Sequence, residues 1–240
     1  MSSIDYTKLF KEKDIFGLED LQPTFNFFDG AVYINRDDRS DRRKHVESVL
    51  TDNGIKAFRV PGYNLNQSHL EAIGFPLTKR KVASVIIKHI GCSAAHFHVV
   101  HQAMKLNLNS ILIFEDDIVF TDDSKAVIQS MIRDVQEHDI DWDLFYIGGK
   151  PVGKIDKVTD NVYTTAGCLD THAYAINGKF LSKLISTNVV TQYDSYVCRL
   201  GCNVIIPPKP ICYQAPLPSD ILGAKYDDYE SVQRQYEKNL

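Results

Sequence analysis

Residues Ser110 to Phe120 read Ser-Ile-Leu-Ile-Phe-Glu-Asp-Asp-Ile-Val-Phe, and no other stretch of the chain restricts its fold as much. Ile111 to Phe114 are four apolar residues with no polar alternation. A short β-favouring run of this kind reads as a strand buried on both faces, hence a sheet covered on both sides. Glu115, Asp116 and Asp117 follow without a break. Open α/β sheets bind ligands just beyond the C-terminal ends of their strands. Three adjacent carboxylates repel one another and cost desolvation unless a cation or strong donors meet them. At this point two readings stand, a divalent-cation site and a solvated acidic turn.

The segments around this strand supply an α/β context. Ala31 to Asn35 is a short buried strand, and the basic turn Arg36 to Lys44 follows it. His45 to Asn53 places Val46, Val49 and Leu50 on one helical face. Gly54 stops that helix, and Ile55 to Val60 forms a second strand, which completes a βαβ unit. Tyr63 to Thr78 is loop-rich, and Val82 to Leu106 is helical in pattern with an interruption at Gly91. That helix carries His96, His98 and His101. Read alone, the three are packing or hydrogen-bonding histidines; only His98 and His101 share a face. Asp122 or Asp123 caps a helix running to Glu137. Asp143 to Ile147 is a strand ended by Gly148-Gly149. Asn161 to Thr165 and Thr171 to Ile176 read as strands on either side of Gly167, with helices at Lys179 to Ile185 and Asp194 to Leu200. Val204 to Ile206 and Ile211 to Gln214 are the last strands. The expected fold is α/β, a single domain over residues 31–222 with a central mixed sheet flanked by helices. A packed arm over residues 1–30 precedes it, and a polar, helical tail over 223–240 follows it.

Composition narrows the function classes. The 240 residues carry a net charge of −4, which gives no sign of a nucleic-acid partner. No apolar run approaches the length of a membrane span, and Met1 to Leu21 lacks the apolar core of a signal peptide. Five cysteines without a paired Cys-x-x-Cys spacing favour buried thiols in a reducing, cytoplasmic compartment.

A strand ending in carboxylates that hold a divalent cation suits the bridging of a nucleoside diphosphate, and hard oxygen ligands suit Mn²⁺ or Mg²⁺. The ordered motifs sharpen this. Val32-Tyr33-Ile34-Asn35 is followed by Arg39 and Asp41-Arg42-Arg43, then Gly91-Cys92 with His96, then Ile113-Phe114-Glu115-Asp116-Asp117. Asp141-Trp142-Asp143-Leu144-Phe145-Tyr146-Ile147-Gly148, Thr171-His172-Ala173-Tyr174-Ala175-Ile176, Asp194, and Gln214 with Ser219-Asp220-Ile221 complete the series. In these motifs the chain resembles glycosyltransferase family 25, which contains bacterial lipooligosaccharide galactosyltransferases and procollagen galactosyltransferases. The tryptophan-bearing strand is similar to the procollagen branch.

The resemblance implies a GT-A-like fold, a UDP-sugar donor (often UDP-galactose) and Mn²⁺ dependence. It implies a glycan or hydroxylysine-type protein acceptor and inversion at the sugar. Asp117 becomes the principal metal ligand, with Glu115 and Asp116 sharing metal and ribose contacts. Asn35, Arg39, Arg42 and Arg43 fall near the nucleotide, and His172 lines the donor site or completes the metal shell. Inversion needs a general base on the acceptor hydroxyl, a role suited to a carboxylate. Asp194 is the first candidate, Asp220 the second, and a plain helix N-cap is the competing reading of Asp194. Three positions depart from the family pattern: Arg36 in place of leucine, Ala95 in place of serine, and Val100 in place of tryptophan. They touch acceptor and donor-sugar choice, not the acids. Lys150 and a turn after Gly149 mark an acceptor entry by position alone. The alternatives are a catalytically degenerate binding module and a sugar-nucleotidyltransferase. The second wants a glycine-rich loop after the first strand, which Arg36 to Lys44 lacks.

Overall fold

The computed structural model describes residues 4–10, 15–76, 82–185, 192–217 and 229–239. A six-stranded sheet forms its centre, in the order β2 (Phe58–Pro61), β1 (Ala31–Asn35), β3 (Ser110–Glu115), β6 (Tyr163–Asn177), β5 (Leu144–Lys157), β7 (Val204–Ile206). Strands β1, β2 and β3 run parallel, β6 is antiparallel to β3 and β5, and β7 is parallel to β5. The mixed α/β sheet expected from the sequence is therefore present.

The unbroken apolar strands feed two cores. Along β3, Ile111 and Ile113 enter one cluster while Leu112 and Phe114 enter the other. Tyr174 and Ile176 alternate in the same way with Ala173 and Ala175 on β6. The first cluster lies under α3 (Ser84–Lys105), α5 (Gly178–Ile185), α6 (Tyr193–Cys198), α7 (Tyr229–Asn239) and the N-terminal arm. The second lies under α1 (Ser40–Asp52), α4 (Ser124–Glu137) and the Phe25–Phe28 turn, where Phe28 meets Trp142 and Phe145 edge-on. A strand sandwiched in this way has no polar face to display, because helices cover both sides of the sheet.

Several expected boundaries move. Helix α3 is unbroken through Gly91, whose missing side chain is required by the neighbouring loop: a Cβ there would lie 2.7 Å from the Tyr63 carbonyl oxygen. Strand β5 runs on through Gly148 and Gly149, with bulges that keep it paired to β6. These glycines make room where stop signals were expected: a Cβ on Gly148 would meet the His172 ring and the Cys212 carbonyl. No turn follows Gly149, and Lys150 sits within the strand, paired with Asp170. Gly167 likewise lies inside the single strand β6, packed against Cys198. The second strand starts at Phe58 rather than Ile55. Asp123 occupies the N-cap position of α4 without a side-chain cap, its carboxylate being turned to Thr121 and Lys209. Two elements were not foreseen, the short helix α2 (Gln67–Ala72) and β4 (Ile118–Phe120).

Strand β4 pairs antiparallel with β8 (Cys212–Gln214) in a small second sheet. The acidic turn thereby becomes a link between two sheets. We expect Gly148→Ala to cost about 1–3 kcal/mol through overpacking. Thermal unfolding would show this as a fall of roughly 2–4 °C per kcal/mol, and an unchanged melt would contradict the close-approach role.

Candidate active site

The C-terminal ends of β1, β2 and β3 lie side by side, with Asn35 opposite Pro61 and Ile34 opposite Glu115 in the parallel register. Glu115 is the last residue of β3, and Asp116 and Asp117 form the turn into β4. The turn is held by the residue that follows β8, the Ala215 amide donating to the Asp117 carbonyl at 2.6 Å. Asp116 and Asp117 are buried, and Glu115 is half-buried. A pocket opens over them, walled by the Gly62–Leu65 loop, by Lys88, Cys92 and His96 of α3, and by Arg36, Arg42 and Gln214. Its floor is anionic and its walls carry three cationic side chains.

Helix α1 supplies the counter-ion. One Arg42 guanidinium nitrogen donates to Asp116 Oδ1 at 2.8 Å and to Asp117 Oδ2 at 3.0 Å, with all three side chains nearly buried. Asn35 adds a donor to Asp116 Oδ2 at 2.8 Å. Both oxygens of Asp116 are thus engaged, and it anchors the turn. Among the described residues, Asp117 Oδ1 has a single long 3.5 Å contact, from Gln214. Burial, then the Glu115 charge, push Asp117 up to about 7 against the pull of Arg42. Burial also raises Asp116, and Arg42 and Asn35 only partly oppose it. At Glu115 burial again works upward, but His96, His172 and Arg42 outweigh it, and its carboxyl is held below the ordinary range.

The other predicted residues separate into groups. Asn35 is 1% exposed. Its amide donates to the Arg39 carbonyl and to Asp116, and its oxygen accepts from Arg59. These bonds brace the acidic turn from the end of β1. Arg39 pairs with Asp41 beside the site. Arg43 points away from it, to an exposed pair with Glu47, because one residue step along a helix turns a side chain about 100° from its neighbour. His172 is fully buried behind the site, with Nε2 3.3 Å from the Cys212 carbonyl, and does not line the pocket. Asp194 stands in the first turn of α6 with Gln192 as the N-cap residue, and it accepts the amides of Ser195 and Asp170. It lies close enough to Cys92 to help raise that thiol, after burial and Glu115. Asp220 lies outside the described residues.

Histidine placement follows the packing reading for two of three. His98 meets the Tyr63 hydroxyl at 2.7 Å and stacks on Phe10, and His101 tilts onto the same ring. His96 instead reaches the site, 3.4 Å from Glu115. Lys88, Arg36 and the Gly62–Leu65 loop were not singled out as site residues. Lys88 is brought in by α3, the loop by the end of β2, and Arg36 by the end of β1.

The arrangement is a mixed α/β sheet with an acidic strand end under a cation-walled pocket. Residues 28–148, half of the chain, match the family described as Glycosyltransferase family 25 (LPS biosynthesis protein), and the chain belongs to that family. The match ends at Gly148, so the motifs from Thr171 onward lie beyond it. Procollagen galactosyltransferase 1 of Danio rerio is 32% identical over 139 residues, covering 51% of this chain and 22% of the relative. Procollagen galactosyltransferase 2 of Mus musculus is 30% identical over 148 residues, 56% and 23% respectively. Inactive glycosyltransferase 25 family member 3 of Homo sapiens is 26% identical over 136 residues, 52% and 22%. The chain therefore spans under a quarter of the length of these curated relatives. Among the described residues no helix is long and apolar enough to cross a membrane, and all five cysteines are free thiols.

Proposed function

We propose that this chain is a metal-dependent, inverting glycosyltransferase. It moves a hexose, galactose first among the candidates, from a UDP-sugar to a hydroxyl of a glycan or hydroxylysine-type protein acceptor. The observation that carries the reading is the acidic turn at the end of β3, set beneath Arg36, Arg42 and Lys88. A nucleoside diphosphate with a divalent ion is complementary to that mixture of charges. The donor set fits Mn²⁺ or Mg²⁺, since Asp117 and Glu115 present hard oxygens. Among the described residues, Asp117 keeps an oxygen with only the long Gln214 contact, and its raised affinity for a proton is that of a buried carboxylate lacking sufficient positive charge. Asp117 and Glu115 would hold the ion, which when bound neutralises charge on the leaving diphosphate.

The remaining work falls to the chain itself. Asp116, tied by Arg42 and Asn35, keeps the turn in place. Arg36 and Lys88 face the phosphates, and the Gly62–Leu65 loop covers the pocket's other side. Asp194, which is not among the residues lining the pocket over the acids, would accept the proton of the acceptor hydroxyl as it attacks the sugar carbon and the diphosphate leaves. Its carboxylate is positioned by the Asp170 amide. Hexose transfer from UDP-galactose and UDP-glucose to a panel of hydroxyl acceptors, with and without Mn²⁺, tests the reading. No turnover with any donor counts against it. Asp194→Asn is expected to lower kcat by about 10²–10⁴-fold with little change in UDP binding. Wild-type turnover in that variant would remove Asp194 from the mechanism.

A second reading is favoured by Arg42, whose guanidinium already places positive charge between Asp116 and Asp117. A non-catalytic binding module could use that residue in place of a metal, and some relatives carry the word inactive in their names. UDP binding by calorimetry separates the two. Binding that strengthens with Mn²⁺ supports the enzyme, and metal-independent or absent binding supports the module.

A further inference from the structure

We propose that Cys92, His96 and Glu115, the last a carboxylate shared with the Asp117 set above, form a second cation site, a thiolate–imidazole–carboxylate set that takes Zn²⁺ in preference to Mn²⁺ or Mg²⁺. The proposal uses no sugar donor and stands whether or not the chain transfers a hexose. Cys92 and His96 are one turn apart on α3 and share the helix face that looks onto the end of β3. The sulfur, a ring nitrogen and a Glu115 oxygen all lie within 4.8 Å of one another. A tetrahedral zinc ion with bonds of about 2.0–2.3 Å holds its ligand atoms roughly 3.3–3.8 Å apart. His96 Nε2 and Glu115 Oε1 already stand 3.4 Å apart.

The independent observation is the state of His96. The residue is 1% exposed, and among the described residues Nε2 makes no well-formed hydrogen bond, standing 3.4 Å from the Glu115 carboxylate. Its other nitrogen meets the Tyr174 hydroxyl at 3.0 Å, and Tyr193 stacks on the ring at 4.7 Å. The ring is therefore clamped with Nε2 directed at the site. An outer partner on the second nitrogen is how metal-bound histidines are oriented. A cation seated between this ring nitrogen and the Glu115 oxygen would satisfy both atoms. Cys92 is partly exposed to the pocket, which gives an ion its route in.

The sulfur decides the class of ion. Thiolate with imidazole and one carboxylate suits zinc, whereas Mn²⁺ and Mg²⁺ favour all-oxygen sets. Binding releases the thiol proton, so Cys–SH and Zn²⁺ give a zinc thiolate and one H⁺. Three protein ligands leave a fourth position facing the pocket. Asp116 is not part of the set, both of its oxygens being held by Arg42 and Asn35.

The test uses the full chain, stripped with a chelator and kept under a phosphine reductant. Titration with Co²⁺, the spectroscopic stand-in for zinc, is expected to give a thiolate-to-cobalt charge-transfer band that saturates at one ion per chain. Zn²⁺ should bleach it, and Mn²⁺ should not. Cys92→Ser should abolish the band, while Cys198→Ser and Asp117→Asn should retain it. Tyr174→Phe should weaken zinc binding by about 10–100-fold. In the unmodified chain, Zn²⁺ should protect Cys92 from alkylation, read peptide by peptide in a mass spectrometer, which needs no variant to fold. Cobalt binding without a band, a band that survives Cys92→Ser, or a Cys92 alkylated equally with and without zinc would each overturn the proposal.

Discussion

Asp117→Asn is expected to remove metal-supported hexose transfer while leaving the metal-free protein at least as stable as before. A cation on the leaving diphosphate contributes several kcal/mol of transition-state stabilisation. A loss of about 3–4 kcal/mol would lower kcat by roughly 10²–10³-fold. The stability effect has the opposite sign because Asp117 is pushed up to about 7, first by burial and then by Glu115. A carboxylate that holds its proton more tightly when folded than when unfolded lowers folded stability as pH climbs. For Asp117 the window runs from the ordinary carboxylate range, about 4, up to about 7. Asparagine has no such titration. Thermal unfolding of chelated wild type and variant at pH 5 and pH 8 is expected to favour the variant more at pH 8. Turnover near the wild-type rate in Asp117→Asn would sink the assignment of this residue to the metal.

Arg42→Met carries the largest expected cost to folding. It leaves Asp116 and Asp117 buried and adjacent without the guanidinium that meets both. Removing one partner of a buried ion pair typically costs about 3–5 kcal/mol. Mn²⁺ should restore part of that loss if it binds the same acids, so urea unfolding is compared with and without the ion. Arg43→Ala is the control: its pair with Glu47 is half exposed on both sides, and surface changes of this kind stay within about 0.5 kcal/mol. Equal losses in the two variants would refute the claim that Arg42 is the counter-ion of the turn.

Three of the arginines after β1 show where sequence reading stops. Arg39, Arg42 and Arg43 are alike in a motif; Arg39 is the N-cap residue of α1, and helix phase separates Arg42 from Arg43. Arg42 turns inward to the acids, Arg39 lies beside them, and Arg43 faces out. The glycines show the same limit. Gly91, Gly148 and Gly167 read as breaks, because an isolated glycine carries no information about what lies against it. Each sits inside an element, where another backbone or side chain occupies the space a Cβ would need. The bracing partners of Asn35 were out of reach for a related reason: Asp116 and Arg59 are distant in sequence and adjacent only across the parallel strands.

By itself the sequence determined the mixed α/β class, the buried strand β3, its acidic end and the family. These rest on local periodicity and ordered motifs, which survive without knowledge of contacts. Only the tertiary structure decided that the Glu115–Asp117 turn is braced at the end of β8 and neutralised by Arg42. It alone showed that Asp116 is spent on holding the turn while Asp117, among the described residues, keeps an oxygen with only a long contact, and that Cys92 and His96 stand over Glu115. The physical reason is burial. Which carboxylate a donor satisfies inside a low-dielectric site depends on distances between segments far apart in the chain, and no local pattern records them.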